Sequence, residues 1–455
     1  MFNKTVAFSA LCMGFFMVIL DVTIVNVTLP TIASYFHAAL ASLQWVVDGY
    51  TLMFAGCLLL VGSLADRYGA KFIFQIGLLA FALTSIGCAL SWSITSLITF
   101  RFLQGVAGSL LIPPSLALIN QIYSDEKNRA NAIGIWAALG GVACASGPFL
   151  GGVITSLVSW RAIFLINVVI GLISFVFVLK NIKASHHSMK RLKFDFLGQF
   201  FGFISIFALA YSLIQANLYG WGNMDIIIGL SVFVLSLAGF LVAEKQVKHA
   251  MIPLSLFKNK QTSMALTVSM ILNLCFYGSL FALPFYFENV RHYSVLITGF
   301  ALLPLPGLAV LGSYLGGKMT GRLGAGLVIF IGLLIAAIGY FGLLDLSPNG
   351  PEYILIAIPF LLIGFGVSFT TPAMTFAAIH SVEESRSGIT AAVLNTVNQV
   401  GSLLGVASFG TIVALASQLT SGIRITLLIS SILFLFVAVI ALIVMRSRVS
   451  GNFQN

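Results

Sequence analysis

Fourteen apolar runs of roughly twenty residues, separated by short polar breaks, dictate what this chain of 455 residues becomes. About twenty residues of helix cross a hydrocarbon layer, and only a helix satisfies its own backbone polar groups there. The runs fall at 5–27, 45–65, 72–91, 97–119, 132–155, 161–180, 196–216, 224–243, 262–287, 296–316, 326–344, 353–375, 389–415 and 423–445. With 59% hydrophobic and 8% charged residues, the chain has too little polar surface to cover such a core in water. The expected fold is an all-α polytopic membrane protein.

The basic residues set its orientation. If both termini are cytoplasmic, the inner loops and tails hold Lys4, Arg67, Lys71, Lys127, Arg129, Lys180, Lys183, Lys190, Arg191, Lys193, Lys245, Lys248, Lys258, Lys260, Lys318, Arg322, Arg386, Arg446 and Arg448. Only Arg101, Arg161, Arg291 and Arg424 of the 23 basic residues then fall on the outer half, as the positive-inside rule requires. The net charge of +10 therefore records orientation, not nucleic-acid binding. All five cysteines lie within spans without paired spacing, so no disulfide framework or metal site is expected. The first run is too long for a signal peptide and reads as a retained helix.

Two lysine-rich interruptions, 180–195 and 244–261, divide the helices six, two and six. This gives an expected N-terminal bundle at 1–180, linkers with two inserted helices at 181–261 and a C-terminal bundle at 262–455. The blocks echo one another. Gly62-Ser-Leu-Ala-Asp66-Arg67-Tyr-Gly69 matches Gly317-Lys-Met-Thr-Gly321-Arg322-Leu-Gly324, and Ser124–Arg129 matches Ser381–Arg386. Repeated membrane halves related by a pseudo-twofold axis are an architecture of secondary transporters.

Asp21 is a carboxylate within the first apolar run. Placing a charge there costs roughly 2.5 to 3.5 kcal/mol on insertion scales, so such acids face wet cavities and serve ion pathways. Asp48 and Arg101 join it on the outer part of the bundle when helix ends follow the apolar runs. Apolar surroundings favour a neutral acid and a nearby guanidinium favours its carboxylate, so a site opening alternately to water would exchange a proton. The bland alternatives are a permanent Asp21–Arg101 salt bridge and, for Asp48, an acid in the first turn of helix 2 complementing the helix dipole.

Other positions carry weaker signals. Asp66 ends helix 2, where the dipole disfavours an acid, so it needs a cationic partner. Gly140, Cys144, Gly147 and Gly151 form one small-residue stripe on helix 5, beside Pro148, and admit a close neighbouring helix. Asn395, Asn398 and Ser402 make a polar face on the run 389–415, suited more to holding helices together than to touching a ligand. Gly312–Met319 approaches a phosphate-loop pattern but has Met319 in place of the hydroxyl that Mg²⁺ needs, so ATP binding is not expected. The six histidines are scattered, and no nucleophile–base set is recognisable.

Four motifs resemble those of the fourteen-helix drug:proton antiporter branch of the major facilitator superfamily, and the resemblance spans nearly the whole chain. They are Leu20–Pro30 (LDVTIVNVTLP) on helix 1, Gly62–Lys71 (GSLADRYGAK) after helix 2, Arg101–Gly108 (RFLQGVAG) on helix 4 and Gly134–Gly152 (GIWAALGGVACASGPFLGG) on helix 5. The second-half loop departs from the pattern with Gly321 in place of an acid. Helix 10 lacks the acids of some cation exporters, and Glu288 stands after the run 262–287 where relatives more often have Gln.

The resemblance implies proton coupling at Asp21 and Arg101, with Asp48 beside them. It implies a cytoplasmic gate at Gly62, Asp66, Arg67, Gly69, Lys71 and Arg129, and an antiporter helix at Gly140, Gly147, Pro148, Gly151 and Gly152. Asn26, Gln104, Asn395 and Asn398 are candidates for a polar face in the cavity. The expected activity is proton-driven export of amphipathic small molecules across the inner membrane by a monomer, with a proton gradient in place of any cofactor and no nucleic-acid partner. Alternatives are a dedicated exporter of one metabolite, an uptake symporter, and a sensor or scaffold that does not transport.

Overall fold

The computed structural model describes residues 3–182, 195–246, 252, 254–346, 352–383 and 387–445. Arg386 of the second loop repeat lies outside them, as do Lys183, Lys190, Arg191, Lys193, Lys248, Arg446 and Arg448 among the orienting cations. Eighteen α-helices cover most of the described chain. They are α1 (Lys4–Ile24), α2 (Leu29–Phe36), α3 (Leu40–Tyr68), α4 (Ala70–Ala89), α5 (Ile94–Ser109), α6 (Ile112–Ile122), α7 (Glu126–Leu157), α8 (Ala162–Asn181) and α9 (Phe196–Tyr219). The second half holds α10 (Met224–Gln246), α11 (Lys260–Phe285), α12 (Val295–Ala301), α13 (Pro304–Gly307), α14 (Ala309–Leu323), α15 (Ala325–Gly342), α16 (Tyr353–His380), α17 (Ser387–Leu415) and α18 (Leu419–Met445).

Several of these join end to end into single spans. Among the described residues, thirteen segments are long and apolar enough to cross a membrane, and the bent α3 makes fourteen when its two arms count as one. Three spans reach further than their apolar runs suggest. The first runs from Lys4 to Phe36, because Pro30 sits in the first turn of α2, where its missing N–H costs nothing. α3 begins at Leu40 and α5 at Ile94, several residues before the apolar signal.

These ends correct three depths. Asp21 lies fifteen residues before Phe36, roughly 22 Å along the span at 1.5 Å per residue, and not near its end. Asp48 and Arg101 lie roughly 12 and 10 Å inside α3 and α5. Asp48 is therefore in the third turn of its helix, and the first-turn dipole explanation fails because that turn holds no acid.

The chain forms two compact units. One comprises Met1–Phe207 with Tyr293–Phe300, the other Ala208–His292 with Ala301–Asn455. In the first, Phe54, Phe74, Leu78, Phe81 and Leu118 form a core with Met17 and Val18 of α1. In the second, α11 packs on α17, and α15 on α16 and α18. α10 buries only 17% of its most apolar window, the least of any span, as expected of a helix facing lipid.

The repeat inferred from the loops is written in the backbone. Gly69 ends α3 and opens α4 at φ +94°, while Gly324 ends α14 and opens α15 at φ +81°. Both sit in the left-handed region that glycine alone adopts freely, and both close the loop that the two halves share.

Candidate functional site

Five helices of the first unit converge on Asp21. Its side chain is fully buried, and three donors reach its carboxylate. Arg101 of α5 pairs with Oδ2 through Nη1. Gln104, one turn further along α5, donates Nε2–H to Oδ1 at 3.1 Å, and Asn167 of α8 donates Nδ2–H to the same oxygen at 2.7 Å. The charges that sequence placed near one another thus form a direct, desolvated ion pair. Such a pair holds only when its remaining hydrogen-bonding groups are also engaged.

They are engaged for Arg101 and Gln104. Arg101 donates Nε–H to the Val46 carbonyl at 2.9 Å and Nη1–H to Gln104 Oε1 at 2.7 Å, and its guanidinium lies 4.3 Å from the Tyr50 ring centroid. Gln104 donates also to Ser85 Oγ at 2.9 Å, and the Cys88 thiol donates to Gln104 Oε1 at 3.5 Å. The Tyr50 hydroxyl donates to the Val18 carbonyl at 3.4 Å. Gln104, expected as a cavity-facing residue, is a wholly buried member of this network.

Asp48 stands apart. It is fully buried on α3, two residues from the carbonyl that Arg101 engages, yet neither carboxylate oxygen has a hydrogen-bond partner among the described residues. Asn26 is likewise buried, donating Nδ2–H to Val22 O at 3.0 Å while its Oδ1 has none.

α7 presses its small-residue stripe onto the span carrying Asp21. A Cβ on Gly140 would collide with Phe15, one on Gly147 with Thr23, and one on Gly151 would come 2.6 Å from the Ile24 carbonyl oxygen. Gly152 faces the opposite way, where a Cβ would lie 2.7 Å from Val295 O, beside Gly299. The helix runs unbroken through Pro148.

The gate residues do not converge. Asp66 and Arg67 are exposed at the end of α3, and no ion pair joins Asp66, Arg67, Lys71 or Arg129 among the described residues. Lys71 instead donates from Nζ to the carbonyls of Ile182 at 2.5 Å and Leu179 at 3.3 Å. A cation there complements the carboxyl end of α8. Gly62 has open space around it.

In the second unit, Asn398 is held by α11, accepting at Oδ1 from Ser269 Oγ and from Asn273 Nδ2 at 3.0 Å. Asn395 is exposed. At the 255-to-257 offset of the two loops, Asp21 and Arg101 correspond to positions without carboxylate or guanidinium (Phe276–Gly278 and Ile356–Ile358).

Sequence reasoning missed Asn167 and Tyr50. Asn167 carries a legible signal, being the one carboxamide in the middle of the apolar segment Ala162–Asn181. Tyr50 carries none that separates it from the other aromatics of the spans.

Comparison with known proteins decides the family. Residues 11–406 match the Major Facilitator Superfamily. The chain belongs to that superfamily. As a superfamily member it is a multi-pass membrane protein of a transporter family. It is 36% identical to the methylenomycin A resistance protein of Bacillus subtilis (strain 168) over 416 residues, covering 90% of this chain and 88% of the relative. It is 32% identical to the tetracenomycin C resistance and export protein of Streptomyces glaucescens, with 89% and 75% covered. The same identity relates it to the multidrug resistance protein Stp of Mycobacterium tuberculosis (strain CDC 1551 / Oshkosh), with 88% and 74% covered. Among solved structures, a bacterial homologue of the human lysosomal transporter Spinster, crystallised inward-facing and unoccupied, superposes with a TM-score of 0.71 at 16% identity over 97% of both chains.

Proposed function

We propose that the protein exports drug-like amphipathic small molecules across the cytoplasmic membrane in exchange for protons, with Asp21 as the coupling acid. The observation that carries this reading is the buried carboxylate of Asp21, held by Arg101, Gln104 and Asn167 where hydrocarbon would otherwise exclude it. A network that merely joined helices would be served by neutral hydrogen bonds. Resistance and export in relatives covering most of the chain support the direction and the substrate class.

Protonating Asp21 cancels the charge that Arg101 is paired with, so the guanidinium must find other compensation as the helices rearrange. Asp48, buried and unpaired on the helix whose Val46 carbonyl Arg101 already touches, is the second acid in position to respond. One charge crossing 100 mV supplies about 2.3 kcal/mol, and tenfold concentration costs about 1.4 kcal/mol. One proton would therefore sustain roughly a 50-fold substrate gradient.

The α7 stripe keeps α1 close enough for its movement to be felt by a neighbour. Gly62, Asp66, Arg67, Gly69 and Arg129 form the inner gate in this reading. Lys71 serves it indirectly, by fixing the end of α8.

The test is proton-gradient-driven uptake of lipophilic dyes and antibiotics into inverted vesicles. Wild type should accumulate substrate and release it on collapse of the gradient, and Asp21→Asn should lose at least tenfold in rate. Undiminished accumulation by Asp21→Asn would remove this residue from coupling.

A further inference from the structure

Asn167 donates to Asp21 from one end of its carboxamide and has nothing at the other. The residue is wholly buried, its Nδ2 lies 2.7 Å from Asp21 Oδ1, and its own Oδ1 lacks any hydrogen-bond partner among the described residues. Gln104 is the instructive contrast. Its Nε2 serves Asp21 and Ser85, and its Oε1 takes Arg101 and Cys88, so no part of that amide is uncommitted.

A buried carbonyl oxygen left without a donor is unfavourable. Beside an acid, however, an idle acceptor is the complement that the protonated form needs. A carboxamide turned half-way about its last side-chain bond exchanges donor for acceptor with almost no change of shape.

We propose that Asn167 is a positioning residue that follows the protonation state of Asp21 by reversing its amide. With the carboxylate ionised, Nδ2–H donates to it. When a hydronium ion gives a proton to Asp21 Oδ1, its own O–H bond breaks and water is released as the new O–H forms, and the amide turns so that Asn167 Oδ1 accepts that O–H. One N–H···O bond is exchanged for one O–H···O bond, and the only covalent changes are the O–H broken in hydronium and the O–H made on Asp21. Arg101 keeps the Val46 carbonyl and Gln104 Oε1, and Gln104 keeps Ser85, so the reversal at Asn167 is the adjustment that lets the rest of the network stand. The contact between α1 and α8 thus survives both states of the acid.

The ionisable groups on the elements around Asp21 are Lys4 and Cys12 on α1, Asp48, Tyr50, Cys57, Asp66, Arg67 and Tyr68 on α3, Lys71 and Cys88 on α4, Arg101 on α5, and Glu126, Lys127, Arg129 and Cys144 on α7. α6 has none, and α8 has only Lys180 near its far end. None is a hydrogen-bond acceptor for a protonated Asp21 in the observed arrangement.

This inference rests on Asp21 being the acid that gains and loses the coupled proton, and the experiment separates the two. Infrared difference spectra of the reconstituted full-length protein, low minus high pH, should show a carboxylic-acid C=O band that is absent from Asp21→Asn. In Asn167→Leu that band should move to higher wavenumber, because the acid has lost its acceptor. In wild-type protein carrying ¹³C at the asparagine carboxamide, one carboxamide C=O band should shift at the same pH midpoint and should be silent in Asp21→Asn. This second measurement does not depend on the variant at 167 folding. An acid band that stays in place in Asn167→Leu, or a labelled carboxamide that ignores pH, overturns the amide reversal while leaving Asp21 coupling intact. A spectrum without any Asp21-dependent acid band overturns the coupling proposal and this inference with it.

Discussion

At the scale of single residues, the ion pair of Asp21 and Arg101 is a liability unless both members are present. Removing one leaves an uncompensated buried charge, which costs about 3 to 5 kcal/mol, whereas removing both can be nearly neutral. Arg101→Gln should therefore melt well below wild type in detergent, and adding Asp21→Asn should restore most of the loss. A double variant no more stable than Arg101→Gln would show that the pair is not the determinant.

Lys71 makes a sharper distinction. Its two carbonyl contacts at the end of α8 are partly exposed, so Lys71→Met should lower stability by about 1 kcal/mol with transport close to wild type. Transport abolished at unchanged melting temperature would return this lysine to the gate itself. Asp21 and Arg101 were legible as neighbours in the sequence because charges within apolar runs are costly unless they are paired or solvated. Asn167 was less so, since an amide in a span is also ordinary glue between helices, and its value lies in a partner 146 residues away.

At the scale of elements, the α7 stripe shows how closely backbones approach when side chains permit. A β-branched side chain at Gly147 has no room beside Thr23, and overpacking of this kind costs about 1 to 3 kcal/mol. Gly147→Val should impair folding yield and transport together. Gly141→Ala, with open space around its Cβ on the same helix, should match wild type in both assays. Equal damage from the two would mean that helix propensity, and not the contact with α1, sets the requirement.

The stripe could be read from spacing alone, but its partner could not, because several helices of the bundle satisfy the same packing rule. The first span outlasts its apolar run, 5–27, because Pro30 stands in the opening turn of α2, where proline is a good starter. Similarly, α3 begins in polar-looking sequence that the apolar count leaves out, which moved Asp48 from the first turn to the third.

At the scale of the whole molecule, hydropathy carried most of the fold. The all-helical bundle and its span number follow from lengths and composition, and the repeat follows from two loops whose glycines share a backbone conformation. A fluorescent reporter fused to the C-terminus should light up only if that end is cytoplasmic, as the basic residues require. A reporter active solely on the outer side would reverse the assigned orientation and with it the direction of proton entry. What composition could not convey is the inequality of the repeats, which appears only when individual positions are aligned.

That inequality has an evolutionary corollary. In the proposed mechanism the Asp21–Arg101 coupling pair lies in the first unit alone, so the second unit is free to diversify without disturbing that pair. Laboratory selection for resistance to new compounds should accordingly enrich substitutions in Ala208–His292 and Ala301–Asn455, and spare the five helices that meet at Asp21.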